Sequence, residues 1–241
     1  MSGLLLVARR ELGAYLNSLW GYLVAAIMLV IDGLLFNAFA LGKSARYSSD
    51  VLEDFFYFSF GTTVITAVLL TMRLLAEERQ TGTIVLVDSS PLSDWQIVGG
   101  KFLSALVFLG GVTFISLYMP ALIFVNGKVS MAHIASGYLG LMLVASATTA
   151  IGTFGSAVAK SQLVAAVISG VIVVLALISW LLAKVTDPPL AEMFSYMSLF
   201  ERHFQPFQRG RINTEDVVFY LSITFVFLLM STRVLSARRW R

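Results

Sequence analysis

Six stretches of this chain are long and apolar enough to cross a bilayer as helices. They run over about Leu19–Leu41, Phe55–Leu75, Phe102–Val125, Ile134–Ala159, Leu163–Ala183 and Val217–Leu235. A membrane-spanning helix needs roughly 20 apolar residues to cross about 30 Å of hydrocarbon. Lipid offers the backbone no hydrogen bonds, so a spanning segment must be a helix or part of a closed barrel. Continuous apolar runs, rather than alternation, select the helix. Composition agrees, with 58% of the 241 residues hydrophobic and 13% charged, against about 25% charged in an ordinary globular domain. The expected fold is all-α: a polytopic membrane protein with six transmembrane helices in a single domain, residues 1–241.

The residues before the first span do not cross the membrane, because Arg9, Arg10 and Glu11 interrupt them. Leu4, Leu5, Ala8, Leu12, Tyr15 and Leu16 recur at helical spacing. Residues 1–17 therefore read as an N-terminal interfacial amphipathic helix, with a plain cytosolic helix as the alternative. A cleaved signal peptide is a poor fit, since the first apolar stretch outruns a 7–15-residue hydrophobic region and contains Asp32. Two polar inserts stand out, residues 76–101 and 184–216.

Orientation follows the Lys and Arg balance. With the N-terminus in the cytoplasm, ten of the 17 basic residues face inward, among them the Arg238-Arg239-Trp240-Arg241 tail. Both termini are expected to be cytoplasmic, with Trp240 as an interfacial anchor. The net charge of +3 is too small and too dispersed for a nucleic-acid partner, whereas membrane lipids are an obligatory one.

Several activities lack their chemistry. There are no cysteines, hence no disulfides, thiolate metal sites or Cys nucleophiles. No His-Glu-x-x-His or Gly-x-Ser-x-Gly pattern occurs. The two histidines, His133 and His203, read as separate surface residues. Gly42-Lys43-Ser44 lacks the leading glycine of a phosphate-binding loop, because Asn37 stands there. The chain is expected to bind no cofactor and not to be an enzyme, so if it carries out active transport the energy must come from a partner or an ion gradient.

The insert after the second span is the most informative. The second helix should project beyond the lipid as Ala76–Arg79, Gly82 should break it, and Thr83–Val87 should form a short amphipathic turn. Ser90-Pro91 should stop that turn, and Ser93 or Asp94 should cap the re-entering helix. Such an elbow would pass a push from a soluble partner to two spans; a plain helical hairpin is the alternative.

Glu77-Glu78-Arg79, Thr81-Gly82-Thr83-Ile84, Ser90-Pro91-Leu92-Ser93 and Gly100-Lys101 resemble the coupling region of ABC transporter permeases of the type-2 exporter class. His203-Phe204, Pro206-Phe207, Arg209-Gly210, Ile212-Asn213 and Asp216-Val217-Val218 resemble the branch containing the gliding-motility and nitrous-oxide-reductase-maturation permeases. The resemblance implies a permease subunit of an ATP-driven exporter in a bacterial inner membrane. It would pair with a second permease copy or paralogue and dock on a cytoplasmic ABC ATPase that holds the ATP and Mg. It also implies a coupling helix between spans two and three, with Glu77, Glu78, Arg79, Thr81, Gly82, Thr83, Asp88 and Pro91 serving the ATPase. Val85 stands where the family usually has an acidic residue. Short external helices between spans five and six would carry a gate of His203, Phe204, Phe207 and Arg209. A non-transporting scaffold of a motility or secretion apparatus is the competing function, and an ion-coupled carrier a third.

Within the spans, Asp32 is a carboxylate near mid-membrane, costly unless paired, protonated or facing a cavity. It reads either as a translocation-path residue with Asn37 or as a packing group bonded to Ser or Thr of a neighbouring span. Ala145, Thr149, Gly152 and Ser156, with Gly155 beside them, form a small-residue stripe suited to close helix packing. Phe55, Phe56, Tyr57 and Phe58 read as an interfacial aromatic belt.

Overall fold

In the computed structural model residues 3–41, 47–85, 89–123 and 129–239 are described. Among them there are helices and turns but no strands. Helix α1 (Gly3–Leu16) precedes α2 (Leu19–Leu35), which continues as a wider turn over Phe36–Leu41. Then come α3 (Ser48–Thr71), α4 (Ala76–Gln80), α5 (Asp94–Ile115), α6 (Tyr118–Ile123), α7 (Met131–Val158) and α8 (Gln162–Val185). The chain ends with α9 (Leu190–Tyr196), α10 (Gln205–Gln208) and α11 (Thr214–Arg239).

Six of these segments, Leu19–Phe39, Ser48–Gln80, Asp94–Ile123, Met131–Val158, Gln162–Val185 and Thr214–Arg238, are long and apolar enough to cross a membrane. All six expected spans are present, but two begin earlier than the apolar runs suggest. The second starts at Ser48 rather than Phe55, and the third at Asp94 rather than Phe102. A polar first turn outside the lipid costs a helix nothing, so hydropathy alone understates helix length. The third span also breaks near Ser116, whose hydroxyl donates to Thr113 O at 2.7 Å, before α6 continues it.

Helix α7 is the axis of the bundle. Its most apolar stretch is 78% buried, against 28%, 22% and 22% for the first, fifth and sixth spans. The small-residue stripe explains this. A Cβ at Gly152 would lie 1.8 Å from Thr71 Oγ1 on α3, and one at Gly155 would lie 2.1 Å from Ser169 Oγ on α8. Gly137 and Gly140 admit Phe56 and Phe207 in the same way. In lipid there is no hydrophobic drive between helices, so close backbone approach of this kind supplies the packing energy.

The aromatic belt needs correction. Phe55 and Phe56 are 1% and 0% exposed and belong to the core with Phe60, Tyr138, Phe204 and Phe207; Tyr57 is exposed. The core wins because α7 presents glycine opposite Phe56 and leaves a ring-sized hollow. Helix α1 is separate from the first span, as expected, but buries Val7, Ala8 and Tyr15. Leu5 and Leu16 of the expected apolar stripe are exposed. Its protein-facing side lies against Gly99 and Gly100 of α5, where a Cβ at Gly100 would meet Val7 Cβ at 2.6 Å and Leu4 O at 2.8 Å.

Candidate functional site

The elbow is built where α3 gives way to α4. Thr71 turns its hydroxyl back onto Ala67 O at 2.6 Å, and the helix is interrupted over residues 72–75 before restarting at Ala76. A restarted helix exposes unbonded N–H groups at its first turn, and Leu75 has no side chain to cap them. Ser156 of α7 does so instead. Its Oγ accepts from Leu75 N–H at 2.9 Å and Ala76 N–H at 3.0 Å, and donates to Met72 O at 3.3 Å. The service is returned at the other helix. Arg79 of α4 donates to Ala157 O, and to Ala159 O at 2.7 Å, closing the C-terminal carbonyls of α7. The two helices therefore cap each other.

A buried ion cluster fixes the same helix to two more elements. The Lys101 side chain is 2% exposed, and its ammonium donates to Glu78 Oε1 at 2.8 Å and Glu11 Oε1 at 3.1 Å. Arg10 bonds Glu11 and lies 3.5 Å from Glu78. Burial alone would raise the Glu11 carboxyl, but the adjacent Lys101 and Arg10 charges outweigh it and hold the group below the usual carboxylate range. Cations and anions balance within the cluster, the condition under which charge tolerates burial. Arg73 makes a two-pronged bond to Glu77, Nε to Oε2 at 2.7 Å and Nη2 to Oε1 at 2.5 Å, and lies 5.5 Å over the Trp20 ring.

The tip beyond this base is open. Thr81, Gly82 and Thr83 are exposed, Val85 is 67% exposed, and Pro91 is exposed. Gly82 takes φ +76°, the left-handed conformation that ends helices and that side chains resist. Thr81 Oγ1 donates to Glu77 O at 2.9 Å, and the Thr81 and Thr83 hydroxyls are 2.9 Å apart. Ser93 caps α5 reciprocally with Gln96, and Ser236 of α11 donates to Asp94 at 2.7 Å. Asp88 and the last part of the expected Thr83–Val87 turn lie outside the described residues, as does Trp240.

The residues expected at the ATPase thus divide into two groups. Glu77, Glu78 and Arg79 bond within the protein, whereas Thr81, Gly82, Thr83 and Pro91 face outward. Lys101, Glu11 and Ser156 complete the base and were not foreseen as site residues. Lys101 was visible in the sequence only in the Gly100-Lys101 pair at the start of the third apolar run, and Ser156 only as a member of the small-residue stripe.

The opposite end of the bundle is equally specific. His203 is fully buried, not at the surface. Its Nε2–H donates to Tyr196 O at 3.0 Å, Nδ1 lies 2.7 Å from Asp216 Oδ1, and the ring stacks on Phe219 at 3.7 Å. Asn213 donates to Asp216 Oδ2 at 2.9 Å. His133 pairs with Gln208 O at 2.7 Å beneath Gly210. Each histidine has found backbone or carboxylate acceptors in a neighbouring segment, which the surface reading could not anticipate. Phe204 and Phe207 are fully buried, and Arg209 is exposed 3.9 Å from Glu53. Within the span, Asp32 is 2% exposed and Thr62 lies 2.6 Å from its Oδ1. Asn37 is exposed, on the wider turn that follows α2.

Six apolar helices, of which α7 is the most buried, with a polar elbow at one end, define a multi-pass α-helical membrane protein. A family model described as ABC-2 family transporter protein matches residues 5–240, nearly the whole chain. The chain belongs to that family. It is therefore a permease-type transport subunit that is not itself catalytic, of a kind that associates with an ATPase subunit. No curated protein matches the chain.

Proposed function

We propose that this chain is the membrane half of an ATP-driven exporter, with Glu77–Pro91 as the segment that receives movement from a cytoplasmic ATPase. The observation that carries this reading is the rigid mounting of an exposed tip. Thr81–Val85 stands on a helix held by Ser156 and Arg79 to α7, and by Lys101 to α5 and α1. A partner pressing on the tip would move these helices together, whereas a loosely held loop would absorb the push.

In this reading Glu77, Glu78 and Arg79 transmit the movement, and Thr81, Gly82, Thr83, Asp88 and Pro91 meet the ATPase. ATP and Mg stay in that partner. Both termini face the cytoplasm of a bacterial inner membrane, and two permease copies, or one with a paralogue, form the pathway. Asp32, whose Oδ2 has no hydrogen-bond partner among the described residues, and Asn37 are assigned to that pathway. His203, Phe204, Phe207 and Arg209 are assigned to its outer gate. Within the family, the segment His203–Val218 favours the gliding-motility and nitrous-oxide-maturation branch.

The test is reconstitution with a cytoplasmic ABC ATPase that co-purifies with this permease, measuring vanadate-sensitive ATP hydrolysis. Gly82→Pro imposes φ near −65° where the chain needs +76°. It should abolish permease-dependent changes in hydrolysis while the complex still assembles. Unaltered coupling in Gly82→Pro and in a chain lacking residues 83–88 would refute the assignment.

A further inference from the structure

At the end of the bundle away from the chain termini, two clefts meet beside α8. One is charged, holds about 560 Å³, and is lined by Lys184, Glu192, Glu201 and Arg202, with Trp180 at its edge. The other, also about 560 Å³, runs between α2, α3 and α8 over Ile31, Leu35, Ile65, Ile178 and Leu181. Trp180 and Glu201 line both clefts, so a charged chamber adjoins an apolar groove between α2, α3 and α8. An occupant that fills both must be amphiphilic.

The charges narrow the choice. Lys184 is exposed, with its ammonium 4.4 Å over the Trp180 ring, and it has no carboxylate partner among the described residues. Glu192 is exposed and has no cationic partner among them either. Arg202, by contrast, is engaged by the Tyr196 ring at 5.0 Å and by Glu215 at 3.4 Å. The chamber therefore offers one cation without a carboxylate partner, Lys184, and two carboxylates without a cationic partner among the described residues, Glu192 and Glu201, the latter accepting from Gln205 Nε2 at 2.7 Å. A purely anionic headgroup would satisfy Lys184 but face Glu192 and Glu201, while a group bearing both phosphate and ammonium satisfies both signs.

We propose that the Lys184–Glu192 chamber and the groove between α2, α3 and α8 form a binding site for a zwitterionic aminophospholipid. Its phosphate lies on Lys184, its ammonium on Glu192 and Glu201, and an acyl chain fills the groove. Trp180 sits where headgroup and chain meet, the position its amphipathic ring favours. The site stands apart from the elbow, so it holds or fails independently of the coupling reading.

Trp180 is also the probe. The full chain carrying Trp20→Phe, Trp95→Phe and Trp240→Phe retains it as the sole tryptophan of four. This variant is reconstituted into phosphatidylcholine vesicles doped with phosphatidylethanolamine or phosphatidylglycerol brominated on the acyl chains. Quenching should show a preference of about fivefold for the ethanolamine lipid, the factor one charge contact at a membrane surface supplies. Lys184→Gln with Glu192→Gln should erase that preference, and both side chains are exposed, so packing is untouched. Equal quenching by both lipids overturns the proposal, as does a preference that survives the double substitution. Emission that no brominated lipid reaches, with cross-linking of the groove to a second copy of the chain, overturns it in favour of a protein interface.

Discussion

Replacing Lys101 by Met keeps the length of the side chain and removes its charge. The two carboxylates it bridges are each 17% exposed, and their bonded oxygens can be no farther apart than about 5.9 Å given contacts of 2.8 and 3.1 Å. At the effective dielectric of about 20 suited to such sites, two unit charges at that separation repel by about 2.8 kcal/mol. Arg10, which already touches Glu11 and lies 3.5 Å from Glu78, offsets part of this. Two charge-assisted hydrogen bonds are lost as well, and breaking one partner of a buried ion network costs about 3–5 kcal/mol. The expected loss is therefore about 3 kcal/mol. For a chain of this size that lowers Tm by roughly 6–12 °C, measurable by thermal unfolding of the detergent-solubilised protein. The argument also fixes the sign of a coupling. Glu78→Gln in the Lys101→Met background should recover about 2 kcal/mol by removing the repulsion, whereas alone it should destabilise. A Lys101→Met protein that melts within 1 °C of wild type, or strictly additive substitutions, would show that the cluster does not bind the three helices together.

Two further outcomes follow from the same base. Ser156→Ala leaves the N–H groups of Leu75 and Ala76 without their acceptor and should cost about 1–3 kcal/mol. Hydrogen exchange should then accelerate at the start of α4, while Ser156→Thr, which retains a hydroxyl, should remain closer to wild type. Because the folded Glu11 carboxyl titrates below its ordinary value of 4.5, its contribution is complete above that value and is lost as pH falls through the lower, folded one. Protease protection of α1 should therefore be flat from neutral pH down to about 4.5 and decline only in more acid solution, and Glu11→Gln should remove that decline.

Much of the architecture is legible in the sequence because the bilayer imposes it. A span must satisfy its backbone internally and present apolar side chains to lipid, so six spans can be read by composition and length. The elbow is legible for local reasons too. Gly82 supplies the left-handed turn and Ser93 the cap with Gln96, whereas the expected unbroken projection of the second helix to Arg79 is corrected by the structure, which interrupts it over residues 72–75. The stripe at Gly152 and Ser156 announces close contact because small side chains have few other uses in a span. What that stripe touches is not written there. Ser156 reads as a packing residue, yet it is the cap of a helix 80 residues earlier.

The sequence by itself determined a multi-pass helical protein with a polar elbow between its second and third spans. Only the tertiary structure decided which polar groups meet. Lys101 finds Glu11 90 residues away, His203 finds Asp216, and Phe55 and Phe56 leave the expected belt for a hollow opposite Gly137. The physical reason is the range of the forces involved. Transfer to lipid acts on each residue separately and leaves a one-dimensional trace. Hydrogen bonds and ion pairs act over about 3 Å between helices whose neighbours are set by packing, and a linear chain does not record that pairing.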